Sequence, residues 1–265
     1  MEAEAFMRSQ EHTAMRYERD MTEPVLAWMQ DQGLHVRTEC ATQWGICDLV
    51  GVSFRMRNVK RRLALKQRAT IGSEFDVAVL ATLPDIEASE GLTVSEIQDV
   101  LGGIASAITV ESTLQKLEQR RFVRYSGDRF AKINGWMPLH QRIVTVELKL
   151  SRIEEVIQQA LNHTGFATES YIGLPMNVAR RVVRSSRIDR LGGAGVGVLG
   201  VDAGGVKTLR RSRPRFDATI PWLQMHMVER FWRSGHKQFS MSGSAIDSGR
   251  RVGPSSDNSS VNCLP

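Results

Sequence analysis

The run Ile143-Val144-Thr145-Val146-Glu147-Leu148-Lys149-Leu150-Ser151 constrains the fold most. Its apolar residues are mostly β-branched, which favours a strand over a helix. Side chains alternate across a strand, so Glu147 and Lys149 are expected on one face and Val146, Leu148 and Leu150 on the other. A carboxylate and an ammonium two residues apart on an otherwise apolar strand are compatible with a solvated edge. They are equally what a metal-assisted hydrolase needs: Glu147 binds a hard cation through oxygen, and Lys149 orients or deprotonates water or stabilises charge on a phosphate. Which applies depends on what the rest of the chain supplies.

A chain of 265 residues can bury one good core or two modest ones. Charge is spread evenly, which argues against a membrane span or a fibre, and a cytoplasmic protein is expected. Met1 to Gln10 is acidic and has no long apolar run, so neither a signal peptide nor a transmembrane segment is expected there. Lys and Arg number 35 against 29 Asp and Glu, an excess that suggests a polyanionic partner, with nucleic acid first. Cys40, Cys47 and Cys263 show no metal-ligand spacing, and their odd number disfavours a disulfide framework.

Upstream, Arg16 to Gln32 reads as a helix with Met21, Val25, Trp28 and Met29 at helical spacing, Pro24 in its first turn and Gly33 ending it. Leu34 to Cys40 and Ile46 to Phe54 read as strands around a turn at Thr42 to Gly45. The second carries Asp48, an acid that is costly to bury unless paired or metal-bound. Residues 55–68 hold seven Lys or Arg and read as a solvated face or a linker.

The pattern then changes. An apolar helix spans Phe75 to Leu83 and stops at Pro84. Thr93-Val94-Ser95-Glu96 has the form of a capping box, and a third helix from about Thr109 to Gln119 is expected to bury Val110, Leu114 and Leu117. Phe122 to Tyr125 and Arg129 to Ile133 flank Ser126-Gly127-Asp128 as a hairpin. Three helices and a hairpin resemble a winged helix-turn-helix, whose members commonly set the third helix in a DNA major groove. Lys116, Arg120, Arg121, Arg124 and Arg129 are the candidate DNA contacts here, although the exposed positions of the third helix are mixed in charge. A packing or dimerisation module is the alternative.

Beyond the Glu147 strand, Ser151 to His163 reads as an amphipathic helix with Gln159 near the edge of its apolar face, and Tyr171 to Pro175 as a strand. Asn177 to Arg190 is expected as one helix with five arginines, among them the candidate backbone contacts Arg180 and Arg184. Gly195-Val196-Gly197-Val198-Leu199-Gly200 spells G-x-G-x-x-G but lacks the strand before and the helix after, so it reads as part of a β-hairpin rather than a nucleotide site. Pro221 to Trp232 reads as a short helix. From about Ser240 the composition suggests disorder.

With residues 55–142 set aside as an insertion, the order is helix, strand, strand with Asp48, strand with Glu147-Leu148-Lys149, helix with Gln159, strand. This resembles the PD-(D/E)XK nuclease superfamily. The resemblance implies an α/β fold, a restriction-endonuclease-like mixed sheet flanked by helices and interrupted by a winged-helix insertion. It divides the chain into a core in two parts, 1–54 and 143–237, the insertion 55–142, and a tail 238–265. It makes Asp48 and Glu147 metal ligands and Lys149 the water-orienting or charge-stabilising group, and it matches Gln159 to a polar residue on the following helix. The first-helix acid is open between Glu18, which is favoured, and Glu23, beside Pro24 and expected to point elsewhere; Glu39 is a further candidate. Cys47 stands where the family often has proline. The implied cofactor is Mg²⁺ with Mn²⁺ as a substitute, the implied partner DNA, and a homo-oligomer is compatible because cutting both strands often takes two sites. The superfamily also includes binding proteins without catalysis, which leaves a regulatory DNA-binding role as the alternative.

Overall fold

The computed structural model of the protein describes residues 15–86, 90–133, 138–216 and 221–242, the last ten of these by backbone alone. A 3-10 turn, Glu18–Met21, leads into α1, Thr22–Asp31. Met21, Val25 and Met29 form its buried stripe, and Gly33 closes it at φ +74°, a conformation that glycine adopts without Cβ strain. Strands β1 (His35–Thr42) and β2 (Gly45–Phe54) follow as an antiparallel hairpin. Next come α2 (Met56–Ala64), α3 (Glu74–Thr82), α4 (Val94–Val100) and α5 (Ala107–Gln119), then the hairpin β3 (Val123–Ser126) and β4 (Arg129–Lys132). The chain continues as β5 (His140–Leu148), α6 (Ile153–His163), β6 (Glu169–Pro175), α7 (Met176–Val183), α8 (Arg187–Gly193), β7 (Gly197–Asp202), β8 (Gly205–Arg210) and α9 (Pro221–Ser242).

The result is an α/β structure. Six strands form one mixed sheet in the order β1-β2-β5-β6-β7-β8, with β5, β6 and β7 mutually parallel and the outer pairs antiparallel. α1 covers one face, on Leu49, Val144, Val146, Leu148, Tyr171, Leu199 and Val201. On the other, α6 and α7 pack on Ile172, Leu174 and Val198, while α2 and α9 pack on Val50, Val52, Phe54 and Ile143. Alternation on β5 follows the expected pattern: Val144, Val146 and Leu148 share the α1 face, leaving Ile143, Thr145 and Glu147 for the opposite one.

Residues 71–130 gather a separate core from α3, α4, α5 and the hairpin, with Val110, Leu114 and Leu117 fully buried as their spacing requires. The capping box at Thr93 and Glu96 is formed: Thr93 accepts from the Glu96 N–H and the Glu96 carboxylate accepts from Thr93 N at 2.7 Å.

Several expectations are corrected. The basic run 55–68 is not merely a linker: it contains α2, Val59 enters the core under the sheet, and Arg62 is buried in an ion pair with Glu229 of α9. Both guanidinium and carboxylate find further partners, since Arg62 also donates to the carbonyls of Gln67 and Ala69 while Glu229 accepts from Ile71 N at 2.9 Å. The arginine-rich stretch 177–190 is two helices, broken between Val183 and Arg187. The C-terminal helix runs on to Ser242, so residues 238–242 are helical. The remainder of the expected tail, Met1 to Gln10 and Cys263 lie outside the described residues. Glycines 197 and 200 lie in β7 of the β7-β8 hairpin, which turns at Gly205 with φ +111°.

Candidate active site at the carboxyl end of β5

The Asp48 carboxylate accepts the Leu148 N–H through Oδ2 at 2.7 Å, which fixes the acid of β2 against the Glu-x-Lys segment of β5. A local break in β1 and β2 makes this contact. Val36 and Leu49 belong to the α1 side, yet Cys40 and Cys47 both belong to the opposite core. Glu39, at φ +51°, sits at the break, a left-handed conformation uncommon for a residue with a Cβ. Simple alternation along β2 would place Asp48 with Val50 and Val52. Instead Asp48 lines an open cleft of about 410 Å³ together with Glu18, Glu23, Glu39, Arg19 and Leu148. Glu23 therefore joins the cleft rather than pointing elsewhere.

Lys149 follows the end of β5 and is 7% exposed. Its ammonium lies 3.2 Å from Glu18 Oε2 and 4.0 Å from Glu155 Oε1 of α6, while Arg152 pairs with the same Glu155 at 2.9 Å. Glu18 belongs to the 3-10 turn rather than to the helix, and it is the acid that holds the lysine.

Glu147 is only 1% exposed and does not line the cleft, although it lies beside Asp48, which does. Its Oε1 lies 3.2 Å from His163 Nδ1, yet neither carboxylate oxygen nor that nitrogen has a hydrogen-bond partner in usable geometry. Burial, reinforced by the negative charge of Asp48, pushes the Glu147 carboxyl up to about 8. Burial alone takes His163 down to about 4, and burial followed by the Glu147 charge raises the Cys47 thiol well above its ordinary value. Without a cation, the protein therefore keeps this cluster neutral at pH 7.

Asp48, Glu147, Lys149 and Glu18 are thus gathered at one end of the sheet. Gln159 lies on α6 one turn before His163, with its Oε1 buried and without a hydrogen-bond partner. Sequence reasoning missed His163 and dismissed the cysteines as metal ligands. Among the described residues, Cys47, Glu147 and His163 each offer a ligand atom, all within 4.8 Å of one another. The available signal was His163 four residues after Gln159 on the same face of α6, with Cys47 immediately before Asp48.

The basic candidates divide. Arg120 donates to the carbonyls of Thr70 and Ile71, and Arg129 to Gly91 O and Glu96, so both brace the protein itself. Arg121 is exposed at φ +65°. Lys116, Arg124, Arg180 and Arg184 are exposed. Arg187 and Arg190 are tied to Glu154. At the entry to α5, Val100, Ile104 and Ile108 are exposed apolar residues.

No family model, curated protein or solved structure matches the chain. No helix among the described residues is long and apolar enough to cross a membrane.

Proposed function

We propose that the protein is a metal-dependent nuclease of the PD-(D/E)XK type that hydrolyses phosphodiester bonds in DNA. The observation that carries this reading is the hydrogen bond from Leu148 N to Asp48, which joins the acid of β2 to the Glu147-Leu148-Lys149 segment beside an acidic cleft. The strand order supports it: an antiparallel β1-β2-β5 meander continued by parallel β6 across α6 is what the resemblance requires of the core.

The donor set fits a hard divalent cation. Asp48 and Glu147 are adjacent carboxylates whose mutual repulsion a cation would relieve, and both Glu147 oxygens are buried without partners. Asp48 and Glu147 would hold Mg²⁺, or Mn²⁺ in its place. When bound, the ion makes a coordinated water easier to deprotonate and offsets charge on the phosphate. Lys149, held by Glu18, would orient the attacking water or stabilise the charge that develops on the phosphate. Lys116, Arg124, Arg180 and Arg184 supply the positive surface for the DNA backbone, with the helix and hairpin module 71–133 as a winged helix aiding substrate binding.

A second reading is favoured by one feature: Glu147 is sealed in the core and faces His163. On that reading the fold binds DNA without cutting it. The two are separated by incubating wild type, Asp48→Ala and Lys149→Ala with supercoiled, linear and branched DNA in Mg²⁺, Mn²⁺ or EDTA. Cutting that needs metal and vanishes in both variants supports the nuclease. Equal DNA binding by all three proteins with no cutting of any form refutes it.

A further inference from the structure

We propose that Cys47, Glu147 and His163 form a zinc site in the core, distinct in its donor chemistry from the acidic cleft and independent of whether the protein cuts DNA. The three side chains come from β2, β5 and the last residue of α6, and all are buried, at 0%, 1% and 3% exposure.

The Cys47 thiol donates to the Leu49 carbonyl at 3.3 Å and lies beside Glu147, and metal binding would replace the thiol proton. His163 Nδ1 and Glu147 Oε1 are 3.2 Å apart, close enough for a hydrogen bond, yet both atoms lack a partner because the alignment is wrong for one. Two donors at about 2.0–2.2 Å from a tetrahedral zinc are separated by roughly 3.3 Å, and they aim at a common third point instead of at each other. The Cys47 sulfur completes the group within 4.8 Å. A thiolate, an imidazole and a carboxylate together select a borderline-soft ion such as Zn²⁺ over Mg²⁺, which prefers oxygen alone.

Charge balance points the same way. A Cys47 thiolate and a Glu147 carboxylate carry two negative charges, neutral His163 carries none, and one Zn²⁺ cancels the pair, so the loaded core has no net charge. Gln159 Oε1, one turn before His163 and without a hydrogen-bond partner, is a neutral oxygen on the same helix face. Glu147 does not line the cleft, and it is the one residue this site shares with the Mg²⁺ ligand pair proposed above.

The test uses the full chain, stripped with chelator and then given equimolar Zn²⁺ in Mg²⁺ buffer. The expected result is one zinc retained per chain after dialysis and a raised unfolding midpoint. With Co²⁺ in place of zinc, a thiolate-to-cobalt charge-transfer band and intense tetrahedral d–d bands are expected. Cys47→Ser removes the charge-transfer band, His163→Gln loses the retained metal, and Asp48→Asn keeps both. The cobalt spectrum of wild type decides the matter even if a variant fails to fold. No retained zinc with no thiolate band overturns the proposal, as does metal that is lost in Asp48→Asn but kept in Cys47→Ser. None of these readouts depends on DNA cleavage, so failure here leaves the nuclease reading standing, and the reverse.

Discussion

Glu147→Gln is expected to stabilise the metal-free protein at neutral and alkaline pH while removing the proposed activity. The Glu147 carboxyl is raised from 4.5 to about 8, chiefly by burial and then by Asp48. The folded protein therefore holds a proton that the unfolded chain has released between those values. Stability from this group is fully present below pH 4.5 and is lost as pH rises through about 8. At about 1.4 kcal/mol per pH unit, the loss relative to acid pH is on the order of 3 kcal/mol at pH 7 and ~5 kcal/mol once the group is ionised. Glutamine is the same shape, is neutral at every pH, and can offer an amide N–H to His163 Nδ1. The difference between the two proteins is expected near zero at about pH 4.5 and to grow to roughly 2–4 kcal/mol in favour of the variant at about pH 8.5, after allowance for relaxation around the charge. His163, lowered to about 4, contributes an opposite slope: its share is present above pH 6.5 and lost as pH falls through about 4. The assay is urea unfolding in EDTA followed by tryptophan fluorescence across that pH range. Parallel stability curves for the two proteins would refute a Glu147 carboxyl that is buried and repelled by Asp48.

Glu229→Gln should cost ~3–5 kcal/mol in urea unfolding, because it leaves Arg62 charged in the core between the Trp232 and Phe122 rings. Replacing Arg62 and Glu229 together by Met and Leu should cost less than the single change, and a larger loss in the double variant would show that the ion pair is not the reason. Arg124→Ala, Arg180→Ala and Arg184→Ala should each weaken DNA binding at low salt and flatten the plot of log affinity against log salt by about one unit, with unfolding unchanged. Arg120→Ala should instead lower stability, since its guanidinium holds the Thr70 and Ile71 carbonyls.

Local periodicity made much of the framework legible. The β-branched run around Glu147 alternates as a strand must, the stripe Met21, Val25 and Met29 lies inward on α1, and Thr93 and Glu96 cap α4, because each depends on residues within one or two turns of one another. The order of acids and lysine along the chain likewise marks Asp48, Glu147 and Lys149 as candidates, and the structure brings the three to one end of the sheet. Contacts between distant segments were not legible. Nothing local to residues 55–68 says that Arg62 meets Glu229, which lies 167 positions away, and nothing in the arginine run says that it breaks after Val183.

At the site, the sequence by itself determined which chemical groups are present, since residue type and two-residue spacing belong to the chain. Only the tertiary structure decided where they point. The break in alternation at Glu39 sends Asp48 into the cleft and Cys47 into the core, and the packing of α6 on the sheet carries His163 to Glu147. The physical reason is that local alternation sets a side chain's direction only where a strand is regular, whereas the break at Glu39, and the partner and protonation of each group, depend on packing, burial and charge brought from other segments.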